Sequence, residues 1–455
     1  MALKQRIVTE IYDDQTKSIV HREITEEKVI KSPKSIEDLG YNHEEQIEIL
    51  HRIQDNYLTF QSNIYELPST CSACGSEMKN YGNYASTFNS VFSDHKITLP
   101  RRRCSNHDCR KLMTFTVQGL FGDYRHPDLL ELQAATAAKM SFVEAQNQLD
   151  AKVKKHRPVN GQLNLKRTVE RIGESLHKIH QDENCLEHFK IKPTNILVAQ
   201  TDGGYIKDKL PSRGNFEALL TKIYNPDNLV RKSSKKTNNI DREITHKSYA
   251  GSSYKDHHKS IKAMTLVAAK KEGLTKDTEI VALSDGAKNC WSVLKSLKKH
   301  CKSITYILDW YHIANKFDKL IKQLGSKYSE RLESVKWKIW HGKADEAVGR
   351  LSELYSDLIT TEFADKAHTL LKYIANNKDY LVHYELRRSK GEVYTSSAIE
   401  SGIESVINAR FKKKHKAQWN RESAHKVLQL RTALLSNQWD QDWQLVKEEI
   451  YKKVA

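Results

Sequence analysis

The chain has 455 residues, in which Lys and Arg outnumber Asp and Glu by 74 to 57, for a formal charge of +17. That length holds about two to four domains, and the cationic excess favours a polyanionic partner, nucleic acid first, with a merely basic protein as the plain alternative. No apolar run approaches the roughly 20 residues that span a bilayer, the N-terminus lacks a signal-peptide core, and seven cysteines, four of them clustered, suit metal ligation in a reducing cytosol better than a disulfide framework, so membrane and secreted classes are excluded.

Residues 1–65 read as an accessory region. Segments 6–12 and 17–24, separated by Asp13-Asp14-Gln15-Thr16, form a hairpin. A helix over 42–57 follows, with apolar spacing through Ile47, Leu50, Ile53 and Tyr57. Residues 66–120 carry Cys71-x-x-Cys74 and a second pair, Cys104 and Cys109, around an alternating stretch over 84–99 that predicts a hairpin. Tetrahedral zinc needs four soft ligands converging on one point, and two Cys pairs on facing turns supply them, so the segment resembles a zinc ribbon. His107 is an alternative to one cysteine, and an unmetallated ribbon is an alternative to the site. Arg101-Arg102-Arg103 would set three cations against a phosphate backbone.

Residues 121–185 predict consecutive helices. Pro127 stands near one start, with Leu129, Leu130, Leu132 and Ala135 as its stripe, and Ser141 caps a short helix to about residue 149. After a basic stretch over 152–161, Asn164 caps a helix to about residue 177 that presents Lys166, Arg167 and Arg171. The pair fits a helix-turn-helix, and a packing subdomain accounts for it equally well.

From residue 191 the pattern is α/β. A strand over 195–201 ends in Asp202-Gly203-Gly204, a second covers 216–224, and 225–247 is polar and expected to be mobile. A helix lies within 255–271. A strand over 280–283 stops at Ser284-Asp285-Gly286, a helix carries Cys290, Trp291, Leu294 and Leu297, and a strand over 304–308 runs into Asp309. Apolar strands joined by an amphipathic helix predict a parallel βαβ unit, whose sites lie beyond the carboxyl ends of strands. Three strand-end aspartates there suggest a carboxylate site for a divalent metal. Residues 313–389 read as a helical insertion with Trp337, Ile339, Leu351, Leu354, Leu358 and Leu371 in its stripes. A helix over 396–407, opened by Ser, then carries Glu400 and Glu404 one turn apart, and a basic stretch follows with Arg410, Lys412, Lys413, Lys414, Trp419 and Arg421.

The set TDGG, SDGA, ILDWYH, AIES, ARFKKK and QW resembles the DDE-type transposases of bacterial insertion sequences, over roughly 191–439. The zinc ribbon and helix-turn-helix are similar to the heads of such enzymes. The resemblance implies a ribonuclease H-like catalytic domain in 190–312 and 390–440, interrupted by the all-helical insertion. It makes Asp202 and Asp285 the first two carboxylates and Glu400 the third, since Glu400 lies ten residues before Arg410 in the ES…ARFK pattern. Asp309 and His312 would line the site. Two departures are Ser396-Ser397, where a Gly commonly precedes the glutamate, and the duplicate Glu404. The implied activity is cleavage and joining of duplex DNA at element ends and target, with Mg²⁺ or Mn²⁺ on the carboxylates, structural Zn²⁺ in the head and a homo-oligomer on DNA in the cytoplasm, at the nucleoid. Lys166, Arg167 and Arg171 would contact the ends, and Arg410, Lys412, Lys413, Lys414 and Trp419 the DNA near the site.

The chemistry asks for the same residues. Phosphoryl transfer uses two metal ions roughly 4 Å apart, and hard oxygen ligands suit Mg²⁺. Against this stand turn formation by Asp-Gly, an exposed helix face for Glu400 and a structural hydrogen bond for His312. Two other functions fit parts of the pattern: a zinc-ribbon DNA-binding regulator without catalysis, and a ribonuclease H-like nuclease acting on branched DNA.

Overall fold

The computed structural model describes residues 3–153, 155–233, 240–324, 326–412 and 417–451. Its chain divides into two units, Met1–Thr168 with Lys447–Ala455, and Val169–Val446.

In the first unit, strands β1 (Leu3–Tyr12) and β2 (Ile19–Ile30) form an antiparallel ribbon. Helix α1 (His43–Asn63) is opened by Asn42, whose side chain accepts the Glu44 and Glu45 amides while Glu45 answers onto the Asn42 amide. That reciprocal cap fixes the start expected from sequence. The expected apolar stripe does not hold, because Leu50, Ile53 and Tyr57 are exposed and Leu58 is the residue α1 buries.

A three-stranded sheet follows, with β4 (Asp94–Cys104) between β3 (Met78–Asn89) and β5 (Leu112–Thr114). Its 90–94 turn is held by the buried Arg157 guanidinium, which donates to the carbonyls of Ser90, Val91 and Ser93 and to Asp94. Next come α2 (Val117–Phe121), α3 (Pro127–Lys139), α4 (Phe142–Ala151) and α5 (Gln162–Ile179). Ser141 caps α4 as the sequence predicts, but α5 begins at Gln162; Asn164 lies inside it and donates to the Pro158 carbonyl. The tight turn falls between α3 and α4, whereas α4 and α5 are joined by 152–161, longer than the three- or four-residue turn of a compact helix-turn-helix, about half its length at most.

The second unit is built on a five-stranded sheet of order β10-β7-β6-β11-β12. Its strands are β6 (Ile196–Lys207), β7 (Asn215–Tyr224), β10 (Ser248–Ser252), β11 (Glu279–Ser284) and β12 (Ser303–Leu308). β6, β11 and β12 run parallel, and β7 is antiparallel to both of its neighbours. The region expected to be mobile instead carries the strand pair β8 (Leu229–Ser233) and β9 (Ile240–Ile244), with 234–239 outside the described residues. Helices α6 (Lys259–Lys271) and α7 (Lys288–Lys295) connect strands of the sheet.

The helical segment comprises α8 (Trp310–Ile321), α9 (Ser326–Trp340), α10 (Ala344–Leu358), α11 (Ala364–Asn376) and α12 (Tyr384–Ser389). Ile339, Leu351, Leu354 and Leu358 are buried and Leu371 packs against the core, but Trp337 is half exposed. The chain returns to the sheet as α13 (Ser397–Gly402), a π-helical turn over Ile403–Asn408 and α14 (Ala409–Phe411). Helices α15 (Arg421–Leu435) and α16 (Trp439–Ile450) complete it. A Cβ on Gly173 would collide with the Lys426 carbonyl, so α5 crosses α15 at that glycine. Among the described residues no helix is long and apolar enough to cross a membrane.

Candidate metal and carboxylate sites

Strand register brings the aspartates together. Leu283 of β11 pairs with Gln200 of β6, and Ser284 pairs with Leu308 of β12. Continuing both ladders sets Asp202, Asp285 and Asp309 abreast on three adjacent parallel strands, which lie about 4.8 Å apart. Asp285 and Asp309 also close local turns, as the plainer reading required. Asp202 is not at a strand end as the sequence predicts, because β6 runs on through the two glycines to Lys207, paired with β7. Asp202 accepts the Gly203 amide at 2.7 Å, Asp285 the Ala287 amide at 2.9 Å, and Asp309 caps α8 through the Tyr311 and His312 amides. Burial raises the Asp202 pKa, and the Asp285 charge adds to the rise.

Asp309 is heavily engaged by the chain itself. It is fully buried and further accepts the Ser396 amide at 2.7 Å and His312 Nδ1 at 2.6 Å. Burial works against its charge, but the hydrogen bonds from His312 and Ser396 outweigh that and hold its pKa low. In return the Asp309 bond raises His312, helped by Asp285 and Asp202. With Nδ1 held, the Nε2 edge of His312 is the one available to a ligand, and Asp309, His312 and Glu400 offer donor atoms within 4.8 Å of one another. That group could hold a metal ion. Asp202 and Asp285 stand around it, near enough for both charges to act on His312 and for Asp202 to act on Glu400.

Glu400 comes from α13, whose start is pinned by side chains of the sheet. Gln200 accepts the Ile399 amide at 2.9 Å and donates to the Thr395 carbonyl at 3.2 Å. Lys222, which pairs with Gln200 across β6 and β7, donates to the Ala398 carbonyl at 3.0 Å. Burial, then the nearby Lys247, pushes the Lys222 pKa down to about 8. Sequence reasoning missed both residues; the available signal was a polar side chain inside each of two apolar runs, ILVAQ and ALLTKIY. Glu400 Oε1 is buried with no hydrogen-bond partner among the described residues. Burial, with the charges of Asp309 and Asp202, raises its pKa. Glu404 is engaged elsewhere, accepting from Asn408 at 2.9 Å within the π turn.

The DNA contacts expected near this site are placed differently. Arg410 and Trp419 are buried, with the guanidinium 4.7 Å from the indole centroid, so they hold the chain after the π turn. Lys412 is exposed; Lys413 and Lys414 lie outside the described residues. On α5, Arg167 and Arg171 are exposed and Lys166 is half-buried.

In the first unit Cys71, Cys74, Cys104 and Cys109 gather at one point and could hold a metal ion. Cys71 and Cys109 sulfurs are 3.8 Å apart, and those of Cys74 and Cys104 are 3.4 Å apart. Gly75, at φ +73°, makes the tight turn after the first pair. His107 is exposed and outside the group. Of the three neighbouring arginines, Arg102 is spent on the Leu67 and Pro68 carbonyls, while Arg103 stacks on Tyr81 at 3.7 Å. Compared with known proteins, the chain matches no family model and no curated sequence.

Proposed function

We propose that the chain is a DNA phosphoryl transferase of the DDE-transposase kind, cleaving element ends and joining them to a duplex target. The observation that carries this reading is the partnerless, buried Glu400 Oε1, on a residue that offers a donor atom beside Asp309 and His312, with Asp202 near enough for its charge to act on it. Gathering carboxylates raises their proton affinity and creates a demand for a cation. The order of the sheet, with one antiparallel strand beside the first aspartate's strand, supports a ribonuclease H-like domain. An all-oxygen donor set on Asp202, Asp285 and Glu400 fits Mg²⁺ or Mn²⁺. Such an ion, when bound, supplies charge stabilisation at the phosphorus and acidifies water.

The chain's own residues do the rest. Asp309 orients His312, whose raised pKa keeps an N–H available to a phosphate oxygen. Gln200 and Lys222 fix the height of Glu400 above the sheet. In the first unit the sulfur spacings support zinc, since a tetrahedral ion about 2.3 Å from four sulfurs separates them by about 3.8 Å. A regulator without catalysis would not need a partnerless buried carboxylate.

The test is incubation of the full chain with duplexes carrying its flanking genomic ends and Mg²⁺, scoring cleaved and joined products. Cleavage that is lost in Asp202→Ala, Asp285→Ala and Glu400→Ala, with DNA binding retained, is expected. Cleavage without joining would favour the nuclease, and activity in all three variants would overturn the proposal.

A further inference from the structure

Six lysines of the second unit point to a surface that the sequence motifs do not mark. One hollow, of about 780 Å³, lies between α7 and α11 and is lined by Lys288, Lys295 and Lys372. Another, of about 330 Å³, lies between α8 and α11 and is lined by Lys316, Lys319 and Lys366. They share Thr369 and Tyr373, so the two adjoin along α11 and together make up one cationic cleft. Asp365 is the one carboxylate among the residues lining either hollow. In a chain with 57 acidic residues against 74 basic ones, six cations to one acid is a local segregation.

Pairing sharpens the contrast. Elsewhere on the same helical segment lysines are neutralised: Lys336 by Asp318 and Glu333, Lys338 by Glu346, and Lys378 by Asp345. None of the six cleft lysines pairs with a carboxylate among the described residues. Lys366 donates to Gln323, while Lys316 and Lys295 lie over the rings of Tyr373 and Tyr380 at 4.5 and 5.3 Å. The cleft also reaches the loop that carries Asp285. Gly286 lines its first hollow, and the Tyr373 hydroxyl, on its floor, donates to the Asp285 main-chain carbonyl at 2.8 Å.

We infer that this cleft holds the phosphate backbone of a DNA strand as it approaches Asp285. The inference rests on the proposed function for its choice of polyanion, and it moves the near-site contacts from the buried Arg410 and Trp419 to α7, α8 and α11. Clustered ammonium groups without carboxylate partners suit phosphates, whose condensed counterions they release on binding.

The test uses the full chain without added Mg²⁺ and without chelator, so that the cysteine site keeps its metal, and a labelled duplex carrying the flanking ends, with affinity followed from 50 to 200 mM NaCl. Lys316→Gln with Lys319→Gln and Lys372→Gln should flatten the plot of log affinity against log salt by about two to three units, since each lost phosphate contact removes about 0.9. The paired lysines give the control, and Lys338→Gln with Lys378→Gln should leave the slope unchanged. If the triple variant fails to fold, Lys372→Gln alone should flatten the slope by about one unit. A slope equal to that of the unaltered protein overturns the inference, whatever the cleavage assay shows. A flattened slope in a protein that never cleaves DNA leaves the cleft standing and overturns the catalytic proposal instead.

Discussion

Glu400 and Glu404 show how little separates a reactive carboxylate from a structural one. They are four residues apart and the helix widens into a π turn at Ile403; Glu404 Oε2 accepts from Asn408 there, while Glu400 is the one that offers a donor atom beside Asp309 and His312. Single π turns inside α-helices are rare and recur at functional sites. Glu400→Gln should therefore lower Mg²⁺-dependent cleavage at least about a hundredfold, in the range for removing a charge-stabilising group. Glu404→Gln should leave it within severalfold, and the reverse order would overturn the assignment. Asp309 should matter through His312 rather than through a metal. Asp309→Asn keeps the shape but weakens the hold on Nδ1, and losses of supporting groups of this kind run to about 10- to 100-fold. A pH profile should show the alkaline limb of activity moving to lower pH in that variant, as the support that raises His312 is lost, which a purely structural defect would not do. Gly204 sets a third constraint, because a Cβ there would come within 2.8 Å of Ile407 Cδ1 in the π turn. The second glycine after Asp202 is therefore a packing requirement of the return helix and not a turn signal, since both glycines lie inside β6.

At the scale of elements, the helix carrying Glu400 is only as well placed as its clamp. Gln200→Leu keeps the volume of a fully buried side chain but takes its donor from the Thr395 carbonyl and leaves the Ile399 amide with the Ser396 carbonyl alone. Orphaning buried groups costs about 1–3 kcal/mol, and the expected outcome is a higher Mg²⁺ requirement for cleavage with DNA affinity unchanged. An unchanged metal titration would show that the clamp does not position the glutamate. A second junction, between α5 and α15, should respond to pH. His425 is fully buried, its Nε2 lies 2.9 Å from His177 Nδ1, and Tyr254 stacks on it at 3.6 Å. Burial, then the His177 charge, pushes the His425 pKa down to about 3, far below the ordinary value of about 6.5. A depressed histidine leaves the folded state unprotonated while the unfolded chain takes up the proton. Its contribution is therefore fully present above about pH 6.5 and is lost as pH falls toward 3, at up to about 1.4 kcal/mol per pH unit. His425→Gln should remove that slope, so its denaturation midpoint should fall less between pH 7 and pH 5 than that of the unaltered chain. Equal falls would sink this account.

For the whole molecule, the sequence was most informative where one residue type has one use. Asp285, Asp309 and the cysteine pairs were legible because a buried strand, a turn and a cluster of like ligands leave short, local marks. The end expected at Asp202 was not there, since β6 runs on to Lys207. Gln200, Lys222 and the lysine cleft were not, because each acts across strands or helices far apart in the chain. Arg410 and Trp419 misled for the complementary reason: a basic, aromatic stretch looks like a surface until packing folds the cation onto the ring. The cysteine group offers the clearest test of that legibility at the level of folding. Beside it the described core is slight: Met78 packs on the cysteines, and Ile97, Leu99, Phe115 and Val117 form a separate small cluster with Leu58. So small a core gains much from a metal, since the free energy of binding becomes free energy of folding. Hydrogen bonds from Ser76 push the Cys74 thiol down to about 6, which readies it to bind as a thiolate. The full chain should therefore carry one zinc at this group, and Cys71→Ser with Cys74→Ser should lose it. In that variant limited proteolysis should cut within 66–120 while leaving 195–310 intact, because the sheet there has its own large core. Resistance of 66–120 to protease without metal would show that the strands hold together by packing alone, and the four cysteines would then lose their structural assignment.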